Sequence, residues 1–570
     1  MRAPALPVAL LLLATGCSLP LSPEVHSVGA VSPEQRQGAA LQVIPPGPKA
    51  DATPVEAVLG FLGAQASADG RHAIARQFLT SQERGRWNDD DEVQVYDPDR
   101  LSVQALPGTE PGTAVVRVVT RVTGRVRADG SYVVLAGERV VEDYRLQRQR
   151  GGWLLDEVPA GLRLTAADRQ RAFAPRAVYY LAPHPAGELP HLVPDQVFLP
   201  VGADPATTLV SRLVRPPSVA LADSVRTAVP EGARLGQVRL SSAGVVTVDL
   251  TGVRTAPSGQ QAQDLSAQLV WTLRSLGSAF RGLRLLVDGR PLRVPGEGEV
   301  QRAGEWDTYD PEGLGPNPPY FFTSHRRLRA SVELPAGPAT AGDVGDGRAV
   351  AVDVAAVTPD RTRVALVEGP GTAVTTVRVG PLRGQDFPVV ARGRGLSSPT
   401  WGSGDLGLWL LRGGRQVVRV LGGPLQTVPV VGLPPGRVTA LALSRDGVRV
   451  ALVVGGRPYV GRVQLQGGVP RITGLTVVLP ALREVGALAW SSSTELVVVG
   501  VLTRARQLLR VAVDGSSLQA LNTAGLAPTR LAASAVGVVI VSGGHLYLST
   551  QGAAFRLVQS DSAQSPAFPG

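Results

Sequence analysis

Between residues 346 and 560 the sequence repeats one pattern, in which a β-rich run and a turn of small residues precede two further β-rich runs. Each copy has an apolar anchor before its turn, and successive anchors lie 44, 42, 47 and 43 residues apart. The anchors are Val357, Trp401, Leu443, Trp490 and Ala533. Short strands repeating every 40–50 residues or so are typical of β-propeller blades, which close into a ring and protect their sheet edges. Residues 346–570 are therefore predicted to form an all-β propeller of five blades, and a sixth that borrows the strand near residues 328–334 stays open.

The composition narrows the class of protein. At 570 residues the chain is too long for one core, so about three domains are expected. The net charge is +10, but the basic residues are almost all arginines spread along the whole chain, and aromatic residues make up only 5%. Nucleic-acid-binding proteins cluster their charge and interleave it with aromatic residues, so this class is not expected. A basic surface fits an anionic membrane or a cell-wall polymer.

The first seventeen residues have the pattern of an export signal. Arg2 is followed by the apolar run 5–14 and then by Thr15-Gly16-Cys17, with the only cysteine of the chain. The apolar run is too short to span a bilayer. One alternative is an ordinary signal peptide that is cut near Ala14. Residues 18–50 contain several Pro, Gly, Ser and Gln residues without an apolar period, and they are predicted to form a flexible tether.

An α+β domain is predicted over residues 51–172. Thr53 and Glu56 form a capping box for a helix whose apolar face includes Leu59, and a second helix follows. A long alternating strand with Val116, Val118, Thr120 and Val122 on one side leads to a hairpin turn at Asp129-Gly130. Two helices before such a sheet resemble a small cone of the nuclear-transport-factor type. The acidic run 88–92 lacks the ligand spacing of a calcium loop, so a solvated loop is favoured.

A second domain with alternating helices and strands is predicted over residues 173–300. Asp204 caps a helix that begins at Pro205, and a second helix places Leu265, Leu269 and Leu273 on one side and ends at Gly277. Residues 301–345 are expected to connect this α/β domain to the propeller.

The sequence contains no metal or catalytic motif. The six histidines lie at residues 26, 72, 184, 191, 325 and 545, and none has the spacing of a zinc site. No nucleophile elbow or phosphate-binding loop occurs, although a carboxylate pair assembled in space stays open. The basic cluster 324–329 suits either an anionic partner or a solvated edge strand. Core packing is favoured over ligand stacking for Trp401 and Trp490. No cofactor, metal site or catalytic residue is predicted, and the ligand-binding residues are unknown.

A family resemblance adds to this interpretation. The segment Ala14-Thr-Gly-Cys17 resembles a lipobox, although the leucine preferred three residues before the cysteine is Ala14. The segments 209–217, 246–252, 267–273 and 287–292 resemble the GerMN domain. Together with the N-terminal α+β domain and the propeller, they are similar to the actinobacterial LpqB lipoproteins. The resemblance implies removal of residues 1–16 and attachment of diacylglyceryl and acyl groups at Cys17, which would anchor the chain outside the cytoplasmic membrane.

The same resemblance implies a function without catalysis. It indicates an accessory lipoprotein that contacts the extracytoplasmic domain of a sensor histidine kinase of the MtrA–MtrB type and modulates its signalling. The alternative is an exported protein that binds or hydrolyses cell-wall glycan in a pocket of the propeller or of the N-terminal domain. Lipid or lipoprotein transport is a weaker alternative.

Overall fold

The computed structural model describes residues 45–67, 71–107, 110–183, 191–202, 204–313, 319–331, 352–384, 386–550, 552–560 and 562–570. Cys17, the signal segment and most of the expected tether lie outside these residues. In the described part of the chain, no helix is both long enough and apolar enough to cross a membrane.

The first domain is a six-stranded sheet with four short helices. Its helices are α1 (Pro54–Ala64), α2 (Ala73–Gln77), α3 (Ser81–Arg86) and α4 (Ala166–Ala172). Its strands are β1 (Val93–Tyr96), β2 (Ser102–Pro107), β3 (Thr113–Val126), β4 (Tyr132–Gln149), β5 (Gly152–Glu157) and β6 (Leu162–Thr165). The strand order is β5-β4-β3-β1-β6, and β2 pairs with β3.

The local signals in this domain are largely confirmed. Thr53 caps α1 through the predicted capping box with Glu56. The four alternating residues of β3 that were predicted to share one side are buried, whereas the arginines between them are exposed. The four buried residues are Val116, Val118, Thr120 and Val122. The prediction for Leu59 is wrong, because this side chain is 41% exposed. The buried stripe of α1 instead runs through Ala57, Val58, Phe61 and Leu62, and Leu59 lies on the flank of that stripe.

The second domain packs two helices against a small mixed sheet. Its elements are β7 (Phe173–Leu181), β8 (Leu192–Pro200), α5 (Pro205–Val214), β9 (Arg234–Leu240), β10 (Val245–Thr251), α6 (Gly259–Leu273), β11 (Gly282–Val287), β12 (Arg290–Pro291) and β13 (Gln301–Arg302). The main sheet has the order β12-β11-β10-β9 with β13 on β11, while β7 and β8 form a separate hairpin. Asp204 accepts a hydrogen bond from the Thr207 N–H at the start of α5, as predicted.

Residues expected to connect the last two domains contribute to both of them. β13 pairs with β11, and a 3₁₀ helix at Ala303–Tyr309 buries Trp306 and Tyr309 in the core of the second domain. Further along, β14 (Tyr320–Ser324) and β15 (Arg327–Ser331) form a hairpin that belongs to the propeller.

The C-terminal domain consists of five four-stranded antiparallel sheets in chain order and one closing sheet. The first three blades contain β16 (Val354–Val357), β17 (Arg363–Glu368), β18 (Thr375–Pro381), β19 (Val389–Gly393), β20 (Leu396–Trp401), β21 (Leu408–Arg412), β22 (Gln416–Val420), β23 (Gln426–Val428), β24 (Val438–Leu443), β25 (Arg449–Val454), β26 (Arg457–Gln466) and β27 (Val469–Val477). The fourth and fifth contain β28 (Arg483–Ser492), β29 (Glu495–Val501), β30 (Arg506–Ala512), β31 (Leu518–Ala520), β32 (Arg530–Ser534), β33 (Gly537–Ser542), β34 (His545–Thr550) and β35 (Arg556–Gln559).

The closing sheet joins two distant parts of the chain. Phe321 of β14 exchanges two backbone hydrogen bonds of 2.7 Å with Ala567. Successive side chains of β14 face opposite neighbours, because Phe321 packs on the first blade and Phe322 packs on the fifth. The hairpin and residues 563–567 therefore act as the sixth blade and close the ring, which settles the blade count left open by the sequence.

The up-and-down order of strands in each blade gives the propeller two distinct faces. Turns between the first and second strands and between the third and fourth strands lie at one end, here termed the junction face, which includes residues 358–362, 402–407, 444–448 and 493–494. Turns between the second and third strands lie at the other end, termed the distal face, which includes residues 369–374, 413–415, 455–456 and 502–505.

Candidate functional site

The turn of the third blade forms a buried ion pair with its own strand and binds the second domain. Its sequence is Ser-Arg-Asp-Gly, and the Asp446 carboxylate accepts hydrogen bonds from the Ser444 hydroxyl and from the Val448 N–H. Arg449 pairs with Asp446 and also donates to the carbonyl oxygen of Pro194 in β8. His191 Nε2 lies 3.1 Å from the carbonyl oxygen of Asp446. These contacts fix the second domain on the junction face.

A second buried carboxylate lies behind this contact. Asp195 accepts hydrogen bonds from the Ser218 N–H at 2.7 Å and the Ser218 hydroxyl at 2.6 Å, and Arg212 lies 3.4 Å away. Burial raises the pKa of Asp195, although the hydrogen bonds from Ser218 and the charges of Arg212 and Arg449 oppose the rise.

The turn of the fourth blade makes an equivalent contact. Glu312 accepts hydrogen bonds from the Ser493 N–H at 2.6 Å and from the Ser493 hydroxyl at 2.8 Å. Arg445 lies 3.8 Å from the Glu312 carboxylate and also donates to the carbonyl oxygen of Pro569. Burial raises the pKa of Glu312 and lowers the pKa of Arg445.

The first domain is attached through the hairpin turn that the sequence predicts at Asp129-Gly130. Arg212 donates to the Asp129 carbonyl oxygen at 2.8 Å, and the Val219 N–H donates to the Asp129 carboxylate at 2.8 Å. Burial would raise the pKa of Asp129, but hydrogen bonds from Ser131 and Val219 and the charge of Arg212 outweigh it and lower the pKa. Side-chain contacts therefore join the first domain to the second and the second domain to the propeller.

The first domain also touches the propeller directly. Gly515, in the turn before β31, has φ +74°, and a β-carbon there would lie 2.3 Å from the carbonyl oxygen of Val478 and 2.7 Å from Cγ1 of Val134. Only glycine fits at this position, because both the backbone angle and the close approach exclude a side chain. A cavity of about 600 Å³ beside this contact is lined by both domains.

An open groove of about 710 Å³ lies between the first and second blades on the junction face. Val389 and Leu421, which are 38% and 39% exposed, supply apolar surface, while Asp360 and Arg363 lie on the rim. Hydrogen bonds from Thr358 and Thr362 hold the Asp360 carboxylate, and they outweigh burial and lower its pKa. The groove therefore offers a fixed negative charge, a guanidinium and an apolar floor.

One wall of this groove consists largely of glycines, so it presents backbone without side chains. The groove is lined by Gly402, Gly404, Gly407, Gly422 and Gly423. Gly407 has φ +71°, and a β-carbon there would lie 2.4 Å from the carbonyl oxygen of Val420, so no other residue fits. A wall without side chains lets an extended polypeptide approach closely enough to hydrogen-bond with the backbone. The pattern of the sequence alone did not reveal this groove, because its walls come from turns more than 60 residues apart.

The tryptophans predicted to be core residues are confirmed as such. The Trp401 indole donates to the carbonyl oxygen of Ala356 at 2.9 Å, and the Trp490 indole donates to that of Ala442 at 3.0 Å. Each indole thus links the first strand of its blade to the first strand of the preceding blade. Trp401 and Trp490 are 7% and 5% exposed, respectively.

The acidic run 88–92 has a structural role in the first domain. Asp89 is buried and forms an ion pair of 2.8 Å with Arg76, so this residue is not solvated as expected. Among the described residues, no three His, Cys, Asp or Glu side chains are grouped closely enough to hold a metal ion. The basic cluster 324–329 lies on the β14–β15 hairpin, and Arg326 and Arg327 are exposed at its turn on the distal face.

Comparison with known proteins places each domain in a family. Residues 47–170 match the model of the "Lipoprotein LpqB, N-terminal domain", residues 177–293 match a domain described as "Sporulation and spore germination", and residues 336–569 match the "Lipoprotein LpqB beta-propeller domain". A protein of Thermobifida fusca named "Lipoprotein LpqB" is 30% identical over 545 residues, which cover 83% of each chain. One of Rhodococcus opacus with the same name is 29% identical and covers 98% of this chain and 94% of the relative.

A solved structure gives a weaker likeness. The crystal structure of TolB from Acinetobacter baumannii covers 49% of this chain and 75% of its own, with 13% identity and a TM-score of 0.34. This likeness is too low to bear on the fold or the function.

Proposed function

The chain belongs to the LpqB lipoprotein family, and on this basis we propose that it is a lipid-anchored extracytoplasmic protein that binds and modulates a two-component sensor kinase of the MtrA–MtrB type without catalysing a reaction. The open groove on the junction face is the observation that carries the proposed site of contact.

In this proposal, Cys17 is the residue that attaches the protein to the membrane. The family name supports a lipoprotein, and the segment Ala14-Thr-Gly-Cys17 has the form of a lipobox. Two or more acyl chains on this residue give stable attachment, because each buried methylene contributes about 0.8 kcal/mol and one chain alone is marginal. Anchorage also raises the effective concentration of the protein near a membrane-bound partner.

Regulation of a kinase by binding needs a protein that favours one of two kinase states. Tight packing at the junction face suits this task, because the propeller that carries the groove is joined to the other two domains through contacts of Arg449, Glu312 and Asp129. We therefore expect a partner in the groove to be held in a defined orientation to all three domains.

The groove suits a segment of polypeptide. Its wall of glycines offers backbone donors and acceptors, and apolar side chains of a bound segment can contact Val389 and Leu421. Asp360 and Arg363 on the rim select the charges of a bound segment and its direction.

The direct test is calorimetric titration of residues 18–570 against the extracytoplasmic domain of the cognate sensor kinase. A dissociation constant in the micromolar range or tighter, about −8 kcal/mol or better, supports the proposal. No heat at several temperatures contradicts direct contact and favours the alternative, a cell-wall glycan bound in the same groove or in the pocket beside Trp153.

Matched variants test the groove itself. Leu421 is 39% exposed in the groove, and Leu518 is 42% exposed outside it. Leu421→Asp is expected to weaken binding at least tenfold, because it places a charge on an apolar contact, whereas Leu518→Asp leaves binding unchanged. Equal affinities of the two variants would show that the kinase binds elsewhere.

A further inference from the structure

The distal face carries a ring of arginines. The turns between second and third strands, and the links that lead from one blade to the next, meet at this end of the sheets. Exposed arginines occur there in all blades, counting the closing sheet, and examples are Arg326, Arg394, Arg415, Arg457, Arg504 and Arg530.

Few carboxylates offset this charge. Asp353, Glu368 and Glu484 are the acidic residues at the distal ends of the described strands. Two of them form long ion pairs, Arg326 with Asp353 at 3.5 Å and Arg506 with Glu484 at 3.8 Å. For the remaining distal arginines, no carboxylate of the described chain lies within ion-pair distance.

Two close approaches place arginine side chains against the distal backbone. A β-carbon on Gly414 of the second blade would lie 3.2 Å from Arg437 Nε, in the link to the third blade. Within the fourth blade, a β-carbon on Gly486 would lie 3.1 Å from Arg506 Nη1. Exposed arginines of every blade thus share one end of the propeller, where their like charges favour an anionic partner.

We propose that the distal face docks on an anionic phospholipid surface. Guanidinium groups bind phosphate in bidentate geometry. The charges lie around a ring and not along one cleft, which matches a planar surface better than a linear polymer. Val374 is 72% exposed in a distal turn, so it adds an exposed apolar side chain to the same face.

The anchor makes such docking effective, so the proposal rests on the membrane anchorage of the proposed function but not on kinase binding. Cys17 and Pro45 are separated by 27 residues, a number that could span up to ~90 Å if fully extended. A lipid anchor with a basic surface is a pair of signals that together hold a protein on anionic membranes.

The test uses the full lipidated chain reconstituted in vesicles. Cys17 is the only cysteine, and its thiol is blocked in the lipoprotein, so Thr503→Cys in a distal turn can carry a fluorophore that headgroup-labelled lipid quenches. Quenching is expected in vesicles that contain phosphatidylglycerol, weak in phosphatidylcholine alone, and reversed by salt. A fluorophore at Ala535→Cys, on the junction face, is expected to stay unquenched.

Two triple variants with equal charge make the test specific. Arg415→Gln, Arg437→Gln and Arg457→Gln remove distal charge, and Arg361→Gln, Arg383→Gln and Arg556→Gln remove exposed charge at the junction end. Since each arginine near an anionic membrane strengthens docking by about fivefold, the distal triple is expected to lower the docking constant by at least about tenfold. The junction triple is expected to leave it unchanged.

Several outcomes would overturn the proposal. One is quenching that is equally strong with and without phosphatidylglycerol, and another is quenching that falls equally in the two triple variants. A third is a distal triple variant that no longer binds the kinase but docks on the vesicles as well as wild type. Absence of kinase binding by a wild-type chain that still docks would refute the proposed function alone.

Discussion

The two faces of the propeller use arginine in opposite ways. On the junction face, Arg449 is buried and the Arg445 side chain is only 8% exposed, and each lies beside a carboxylate, Asp446 or Glu312. On the distal face, Arg415 and Arg457 are exposed and have no carboxylate within ion-pair distance in the described chain. A buried guanidinium must be paired because burial of a lone charge is costly, whereas an exposed one keeps its hydration and stays available.

The difference teaches that net charge by itself says little about function in this chain. The value of +10 combines arginines that hold domains together with arginines that face outward. Removing either kind changes the net charge equally, but the consequences for stability and for binding should differ. The following predictions separate the two kinds.

The largest effect on stability is expected in the closing sheet, because both faces of the propeller depend on closure of the ring. Phe321→Ala in the closing sheet leaves a cavity against the first blade, and the free energy of unfolding should fall by about 3–5 kcal/mol. Chemical denaturation measures the change. Leu557→Ala, at a side chain that is 54% exposed, is the control and should change stability by less than about 0.5 kcal/mol. Equal losses in both variants would argue against a closed ring.

A large effect is also expected from the buried arginine of the junction face. Arg449→Ala leaves Asp446 buried without its cation and removes the bond to Pro194, so the unfolding free energy should fall by about 3–5 kcal/mol. Arg457→Ala on the distal face should cost less than about 0.5 kcal/mol. Denaturation of the two variants side by side checks the contrast, which disappears if the two losses match.

The pH dependence of stability tests the largely buried carboxylate of Glu312 at the fourth blade. Burial raises the pKa of folded Glu312, so its contribution to stability is greatest below the unfolded pKa and is lost as pH rises through the folded pKa. Glu312→Gln lacks this titration. The stability of the variant relative to wild type should therefore increase between pH 4 and neutral pH, by about 1.4 kcal/mol for each unit of raised pKa.

Denaturation across this pH range measures the difference. A relative stability that is flat or falls with pH would contradict the assigned burial of Glu312. Asp514→Asn should show the same sign, because burial also raises the pKa of that carboxyl.

The smallest effect on stability is expected on the distal face. The triple variant of Arg415, Arg437 and Arg457 to Gln should change the unfolding free energy by less than about 1 kcal/mol, since exposed charges contribute little. Its retention on a cation-exchange column should fall more than that of the junction triple at Arg361, Arg383 and Arg556. Equal retention would show that the distal charges do not act as one surface.

Much of the fold follows from local signals in the sequence. The spacing of Trp401 and Trp490 predicts equivalent positions in blades, and the structure gives both indoles the same hydrogen bond to the preceding blade. The capping box of Thr53 and the turn at Asp129 depend only on neighbouring residues, so both can be predicted from the local sequence.

Contacts between distant residues could not be predicted in this way. The pairing of β14 with residues 563–567 spans about 240 residues, and no periodic pattern specifies the partner of Phe321. The groove brings together turns around Asp360, Gly407 and Gly422, and the arginine ring requires the strand directions of every blade. Leu59 shows that a local pattern can also mislead, because this apolar residue has nearly the spacing of a core position and still faces solvent.

The closing sheet also sets an order of events during folding. Phe321 is synthesised long before Ala567, so it cannot form its closing pair until the five blades between them have been made. Loop-closure entropy and the long sequence separation make this the slow step of assembly. The last residues to pair also secure the domains, because the Pro569 carbonyl accepts from Arg445 beside Glu312. A chain cut before residue 563 would thus lose the closing pair of the ring and the contact between Arg445 and Pro569 together.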